Sequence, residues 1–203
     1  MGPFFLEVTM NPFQKFQDAL VAMYPGLSVF SDISWDKITK EYLADHDERP
    51  QDVDEFVFGF PQFLQDKASR DECPSHLFEL AYFELIENEL LNSDLLMRSD
   101  EGIHLNPSLS FLNLEFDICL MVDEATKGNI QIIQRPHILC LYRHPERGLL
   151  HTEITQEFLE VLQALENGAF PSMEIFPEHQ QMAVRKLMEL GVILEGLKVH
   201  PHS

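Results

Sequence analysis

The apolar positions of the chain follow two regimes, helical over the first hundred residues and mixed after them. From Pro74 to Leu91, a step of 100° per residue gathers Leu77, Phe78, Ala81, Tyr82, Leu85 and Ile86 on one arc. His76, Glu79, Glu84 and Glu87 fall on the other. This predicts a long amphipathic helix opened by Pro74, whose missing N–H would have no partner in the first turn. Leu80 and Phe83 intrude on the polar arc, so that arc is predicted to meet a protein surface as well as water. Upstream, Asn11 and Pro12 start a helix carrying Phe13, Phe16, Leu20 and Met23, and Tyr24-Pro25-Gly26 ends it. Ser34 caps a second helix over Trp35 to Ala44, with Trp35, Ile38, Tyr42 and Leu43 on one face. The polar run from Asp45 to Pro50 reads as a loop. Asp52 opens a third helix with the stripe Val53, Phe56, Val57, Phe60, Phe63 and Leu64, in which Pro61 predicts a kink or two short helices meeting near Gly59. Four such helices bury their faces most simply as a bundle.

Beyond Asn106-Pro107 the period changes. Alternation through FLNLEFDICL places Leu112, Leu114, Phe116, Ile118 and Leu120 on one side and predicts a strand within Leu109 to Val122, a helix being the alternative. Ile130 to Gln134 is a short apolar patch. His137 to Arg143 and Gly148 to Glu153 read as a strand pair joined by the turn-forming His144-Pro145-Glu146-Arg147. Thr155 caps a helix with Phe158, Leu159, Leu162 and Leu165, and Asn167-Gly168 stops it. Glu178 to Leu190 is a final helix with Met182, Val184, Leu187 and Met188, stopped by Gly191. The closing VILEGLKV is a candidate last strand. The chain is therefore expected to be α+β, a helical bundle over residues 11–104 followed by a winged-helix-like α+β domain over 105–203.

Charge narrows the function. The 203 residues hold 14 Lys and Arg against 34 Asp and Glu, a formal net charge of −20. Both parts are acidic: 7 basic and 21 acidic residues precede His104, and 7 and 13 follow it. No cluster of Lys and Arg is available to displace counterions from a nucleic acid. Three scattered cysteines, Cys73, Cys119 and Cys140, contain no C-x-x-C pair and point to a reducing, cytoplasmic setting. MGPFFLEVTM lacks the basic start of a signal peptide, so residues 1–10 read as an upstream extension. No run of about 18 apolar residues predicts a membrane-spanning helix.

Candidate chemistry is sparse. The i, i+3 pair His76 and Glu79 is of a kind that ligates iron in helical bundles when a second pair faces it. None is visible, so the His76, Glu79, Glu84 and Glu87 arc reads as a solvated or interfacial face, and no metal or cofactor is expected. His137, His144 and His151 by the hairpin, with His200 and His202 at the end, read as polar loop residues. Cys119 and Cys140 read as small core residues. No nucleophile elbow, triad order or phosphate-binding glycine loop occurs, so no catalytic residue is assigned.

The order of motifs carries a resemblance. Tyr24-Pro25, Tyr42-Leu43, Phe60-Pro61-Gln62-Phe63-Leu64 and the Leu77 to Glu84 segment follow the pattern of the N-terminal domain of the HvfC/BufC family, which is catalogued as DNA-binding. The second half agrees through NPSLSFLNLEFDICL, ILCLYR with Arg143, the helix into Glu166-Asn167-Gly168, and KLMELGVI, so the resemblance spans about residues 11–195. Leu85 and the loop from Asp123 to Asn129 depart from it.

The family includes the MbnC-like partners of multinuclear non-haem iron oxidases. The resemblance implies a non-catalytic partner protein with a C-terminal domain like a peptide-recognition element. Such a partner holds a ribosomally made precursor peptide and forms a heterodimer with the oxidase that modifies it. On that reading the leader adds to a sheet edge along Ile138, Leu139, Leu141, Tyr142 and Arg143, or along Leu112 to Leu120, with Arg143 holding an acidic residue of the peptide. Leu80, Phe83, Glu84 and Glu87 are the expected docking residues for the oxidase. A DNA-binding transcriptional regulator using Arg185 and Lys186 is the alternative, and an iron enzyme built on the Glu/His arc is a third reading.

Overall fold

The computed structural model describes residues 12–31, 34–45, 52–93, 102–166, 170 and 172–196. The Asn11 cap, the Asn167-Gly168 stop, most of the 45–50 loop, the residues past Gly196 and the 1–10 extension lie outside them. The architecture is mixed α+β, with helices first and antiparallel strands concentrated in the second half. The chain divides into two compact units, and the division is not a single cut in sequence. One comprises Met1–Leu85 with Ile118–Ile133, the other Ile86–Asp117 with Gln134–Ser203. No described helix is long and apolar enough to cross a membrane.

The first unit holds α1 (Pro12–Met23), α2 (Leu27–Phe30), α3 (Trp35–Ala44), α4 (Val53–Phe58), α5 (Phe60–Ser69) and, as far as Leu85, α6 (Ser75–Asn92). Ser34 and Asp52 cap α3 and α4 through their side chains as the sequence predicts, accepting from Lys37 N and Asp54 N. The third predicted helix is two helices meeting at Gly59. Pro61 has no N–H to offer the Val57 carbonyl four residues back. That carbonyl instead accepts from the Tyr24 hydroxyl at 2.7 Å, and the neighbouring Phe56 carbonyl accepts from the Tyr42 hydroxyl at 2.8 Å. The same two tyrosines pack on Phe60, with ring centroids 5.3 Å away in each case, and Tyr42 also packs on Phe63 at 4.8 Å. Gly26 N donates to Glu84 Oε1 at 2.7 Å, tying the Tyr24-Pro25-Gly26 turn to α6. Burial pushes the Tyr42 hydroxyl pKa up.

Two expectations fail here. Ile118 and Leu120 do not continue a strand: after Phe116 the chain turns into α7 (Ile118–Thr126), which buries Ile118 and Met121 and leaves Leu120 exposed. The alternation stops because Asp117 is buried and accepts from Arg135 at 2.8 Å, an anchor that ends the strand. The faces of α6 also differ from the predicted ones. Leu77, Leu80, Ala81, Phe83 and Leu85 are buried together with His76 and Glu79, whereas Phe78, Tyr82 and Ile86 are half-buried and flank the exposed Glu89. The buried arc is so wide that it takes in both polar residues.

The second unit contains two small sheets. β1 (Gly102–Leu105) pairs with β5 (Ile193–Gly196), and β2 (Ser110–Phe116), β3 (Gln134–His144) and β4 (Gly148–Glu153) form an antiparallel sheet in the order β2-β3-β4. The hairpin turns at His144 to Arg147, with His144 opposite Gly148. α8 (Gln156–Glu166) starts at Thr155, whose Oγ1 accepts from Phe158 N. α9 (Glu178–Leu190) ends at Gly191, which has a left-handed φ of 79° and places Val192 N on Leu187 O and its own N–H on Met188 O. Cys140, Tyr142, Val161, Leu162, Val184, Leu187 and Ile193 lie in the core of this unit. Met182, expected on the buried face of α9, is 76% exposed, and Ala183 takes its place inside.

Candidate functional site

The docking set does not lie on a surface. Leu80 is fully buried and Phe83 is 5% exposed, so neither can offer an apolar contact to a partner without unfolding α6. Glu84 is half-buried with one carboxylate oxygen on Gly26 N. Glu87 is half-buried too, and desolvation raises its pKa. His76 hydrogen-bonds the backbone of Phe30, and burial lowers its pKa. Among the described residues no group of three or more His, Cys, Asp or Glu is placed to hold a metal ion. The large apolar residues exposed on α1, α2 and α4 are Val21, Val29 and Phe58.

The strand chosen for peptide addition is the wrong one of the three. β3 is the centre of its sheet: Leu139 faces Leu112 on one side and Glu153 on the other, and Leu141 faces Ser110 and His151. Both of its edges are therefore occupied, and no peptide can add along Ile138 to Arg143. Leu139, Leu141 and Tyr142 are buried. Arg143 sends Nη1 to the Ser93 carbonyl. The pattern in HILCLYR, apolar on both faces, is the signature of an interior strand.

An open edge exists on the other candidate segment. β2 pairs with β3 on one side, and over Ser110–Leu114 no other described strand pairs with its outer edge. Beside that edge lies a groove of about 520 Å³ lined by Leu105, Phe111, Asn113, Ile138, Leu159, Leu162, Gln163 and Glu166. Phe111 and Asn113 alternate with the half-buried Leu112 and buried Leu114, so they look into the groove from the face opposite the apolar run that marks the strand. Phe111 stands opposite Cys140 and is 48% exposed. α8 forms the second wall through Leu159, Leu162, Gln163 and Glu166. Of this lining the sequence points to Ile138 and, through the Leu112 to Leu120 alternative, to Asn113, and not to Phe111 or the α8 residues. The available signal was Phe111, a large aromatic residue out of phase with its strand.

Other candidates lie elsewhere. A cavity of about 500 Å³ in the first unit is lined by apolar residues such as Ile38 and Leu64 and by Lys67. Lys67 is held between Glu41 at 2.9 Å and Glu72 at 3.0 Å, which lowers the pKa of both carboxyls. Cys73 at its rim gives its thiol to Leu64 O, and burial raises its pKa. Cys140 sits in the core of the second unit, where burial pushes the thiol up to about 12. His144 Nδ1 accepts from the N–H groups of Glu146 and Arg147, building the hairpin turn. His200 and His202 fall outside the described residues. Arg185 and Lys186 are exposed on α9, where Lys186 lies 3.6 Å from Glu189. Two cations with such acidic neighbours make a weak footprint for a nucleic acid.

No family model matches the chain, and no curated protein matches it.

Proposed function

We propose that the chain is a non-catalytic partner protein that binds a ribosomally made precursor peptide and presents it to a multinuclear non-haem iron oxidase for modification. The observation that carries the peptide half is the outer edge of β2 over Ser110–Leu114, set beside the apolar groove against α8. A disordered peptide loses its backbone hydration on binding, and pairing with an open edge replaces it with little demand on sequence. The groove then reads every second side chain. The oxidase half rests on the resemblance to the HvfC/BufC family. With Leu80 and Phe83 inside, the docking surface belongs among exposed positions such as Val29 and Phe58. The three free cysteines fit a cytoplasmic setting, where such a precursor is made.

The test is a titration of the labelled leader peptide of a Cys-containing ribosomal precursor into the 203-residue chain. Phe111→Ser removes the large apolar contact of the groove at an exposed position that the fold tolerates. It should weaken binding about tenfold or more. Unchanged affinity in a folded variant refutes the site. Co-expression with a multinuclear non-haem iron oxidase of the same genome should give one peak on size exclusion, and separate elution of the two proteins refutes the partnership.

A further inference from the structure

The charges around the β2 groove have one sign. β1, β2 and α8, which wall it, carry no lysine or arginine, and among the described residues Glu166 is the one charged residue of its lining. Glu166 is itself in the lining and exposed, beside the polar Asn113 and Gln163, while Leu105, Phe111, Ile138, Leu159 and Leu162 supply the apolar surface. The cations on β3 do not offset this. Arg135 is bound between Asp117 and Glu153, both at 2.8 Å, and Arg143 donates to Ser93 O; neither lines the groove.

We infer that the occupant of the groove is a cationic extended peptide in which a large apolar side chain packs beside Phe111 and a Lys or Arg two positions away reaches Glu166. The inference rests on the reading of the groove as a peptide site and adds the chemistry of its ligand. In an extended chain, side chains two positions apart point the same way and stand about 6.5 to 7 Å apart. A strand laid along β2 therefore aims alternate residues at α8. The groove volume of about 520 Å³ accommodates a few large side chains. A peptide carboxylate at the same position would meet Glu166 and no cation of the lining, which disfavours acidic partners by repulsion.

The experiment uses the full-length chain and three fluorescein-labelled decapeptides. They share one Phe-centred apolar pattern and differ only in carrying Lys, Gln or Glu two positions from the Phe. Fluorescence anisotropy at low salt should rank them Lys, then Gln, then Glu, with Lys ahead of Gln by about three- to fivefold, as expected for a rim ion pair. The Lys advantage should shrink at high salt and vanish in Glu166→Gln. Equal affinities for the three peptides, or a Lys preference that survives Glu166→Gln, overturn the inference and leave the peptide site standing. Absence of binding by every peptide, or binding unaltered by Phe111→Ser, overturns the peptide site itself.

Discussion

Asn106 is buried at 3% exposure, and its amide is fully used. Nδ2 donates to the carbonyls of Arg143 and Gly191, each at 2.9 Å, while Oδ1 accepts from Ser108 N at 2.9 Å and Ser108 Oγ at 2.7 Å. Ser108 Oγ in turn accepts from Arg143 N at 2.8 Å. One side chain thus closes the turn between β1 and β2 and fastens it to the end of β3 and to the C-terminal stop of α9. Asn106→Ala removes four hydrogen bonds and leaves two carbonyls without this donor. Ser108 is half-buried and its two donors can turn to water, so the two carbonyls left without a donor dominate; at about 1.5 kcal/mol each the loss is roughly 3 kcal/mol. That is a large part of the stability of a typical domain, roughly 5 to 15 kcal/mol. Asn106→Asp should do no better, because it keeps the acceptor and loses both donors.

Urea unfolding followed by far-UV circular dichroism measures the loss. With a slope near 1.5 kcal/mol per molar, as for a small domain, the midpoint of the second unit should fall by about 2 M. The only tryptophan, Trp35, lies on α3 in the first unit, so its fluorescence gives a separate transition expected to shift less. Ser108→Ala alone should cost about 1 to 2 kcal/mol, and the double variant should be less destabilised than the sum. A loss below about 1 kcal/mol for Asn106→Ala would show that water replaces the amide at both carbonyls, and the clamp would not be a determinant of the fold.

The remaining predictions concern both units. Tyr24→Phe should destabilise the first unit by about 1 to 3 kcal/mol by leaving the buried Val57 carbonyl without its donor, measured as a shift of the Trp35 unfolding curve. Gly59→Ala should act on the same helix break, because a β-carbon there would press on the Tyr42 hydroxyl that serves Phe56 O, and its effect should be largely absent in a Tyr42→Phe background. Leu139→Pro should unfold the β2-β3-β4 sheet outright, since it puts a proline at the centre of a three-stranded sheet; a folded variant seen by circular dichroism would contradict the strand order. His76 has a pKa lowered by burial, so below the ordinary histidine value of about 6.5 the unfolded chain takes up a proton that the folded one resists. Stability should therefore fall as pH drops from 7 toward 5, and His76→Gln should flatten that slope in denaturation curves taken across the interval.

What the sequence revealed follows the strength of local signals. The caps at Ser34, Asp52 and Thr155, the break at Gly59-Phe60-Pro61 and the stop at Gly191 each depend on one or two residues with a fixed backbone preference, and each was legible. The orientation of α6 was not. When Leu80 and Phe83 go inside along with Leu77, Ala81 and Leu85, a 100° wheel has no clear polar side, and His76 and Glu79 are carried in with their neighbours. Strand order was hidden for a different reason. Apolar alternation tells which face of a strand is covered and nothing about which neighbour pairs with it, so an interior strand was taken for an edge. The turn of the chain into α7 was hidden because Asp117 ends β2 through Arg135, a residue eighteen positions away.

The placement of the family-like motifs changes what that resemblance can support. Tyr24 and Tyr42 both pack on Phe60, Phe63 packs on Tyr42 and Phe60, and the two tyrosine hydroxyls serve the carbonyls beside the Pro61 break. Glu84, the end of the last motif, holds the turn that follows Tyr24. The spacing of these motifs is thus set by the packing of one helical core and would persist in any protein that folds this way, whatever its partner. A shared partner has to be read at exposed positions, which in the first unit include Val29 and Phe58 and not Phe83. Phe58→Asp, on the solvent side of α4, should leave the Trp35 unfolding curve within about 0.5 kcal/mol of the original, the usual range for surface changes. It should also abolish co-elution with the oxidase if α4 faces the enzyme. Retained co-elution in both Phe58→Asp and Val29→Asp would remove α2 and α4 from the interface and leave α1 and α7, with their exposed Val21 and Leu120, as the helices to test.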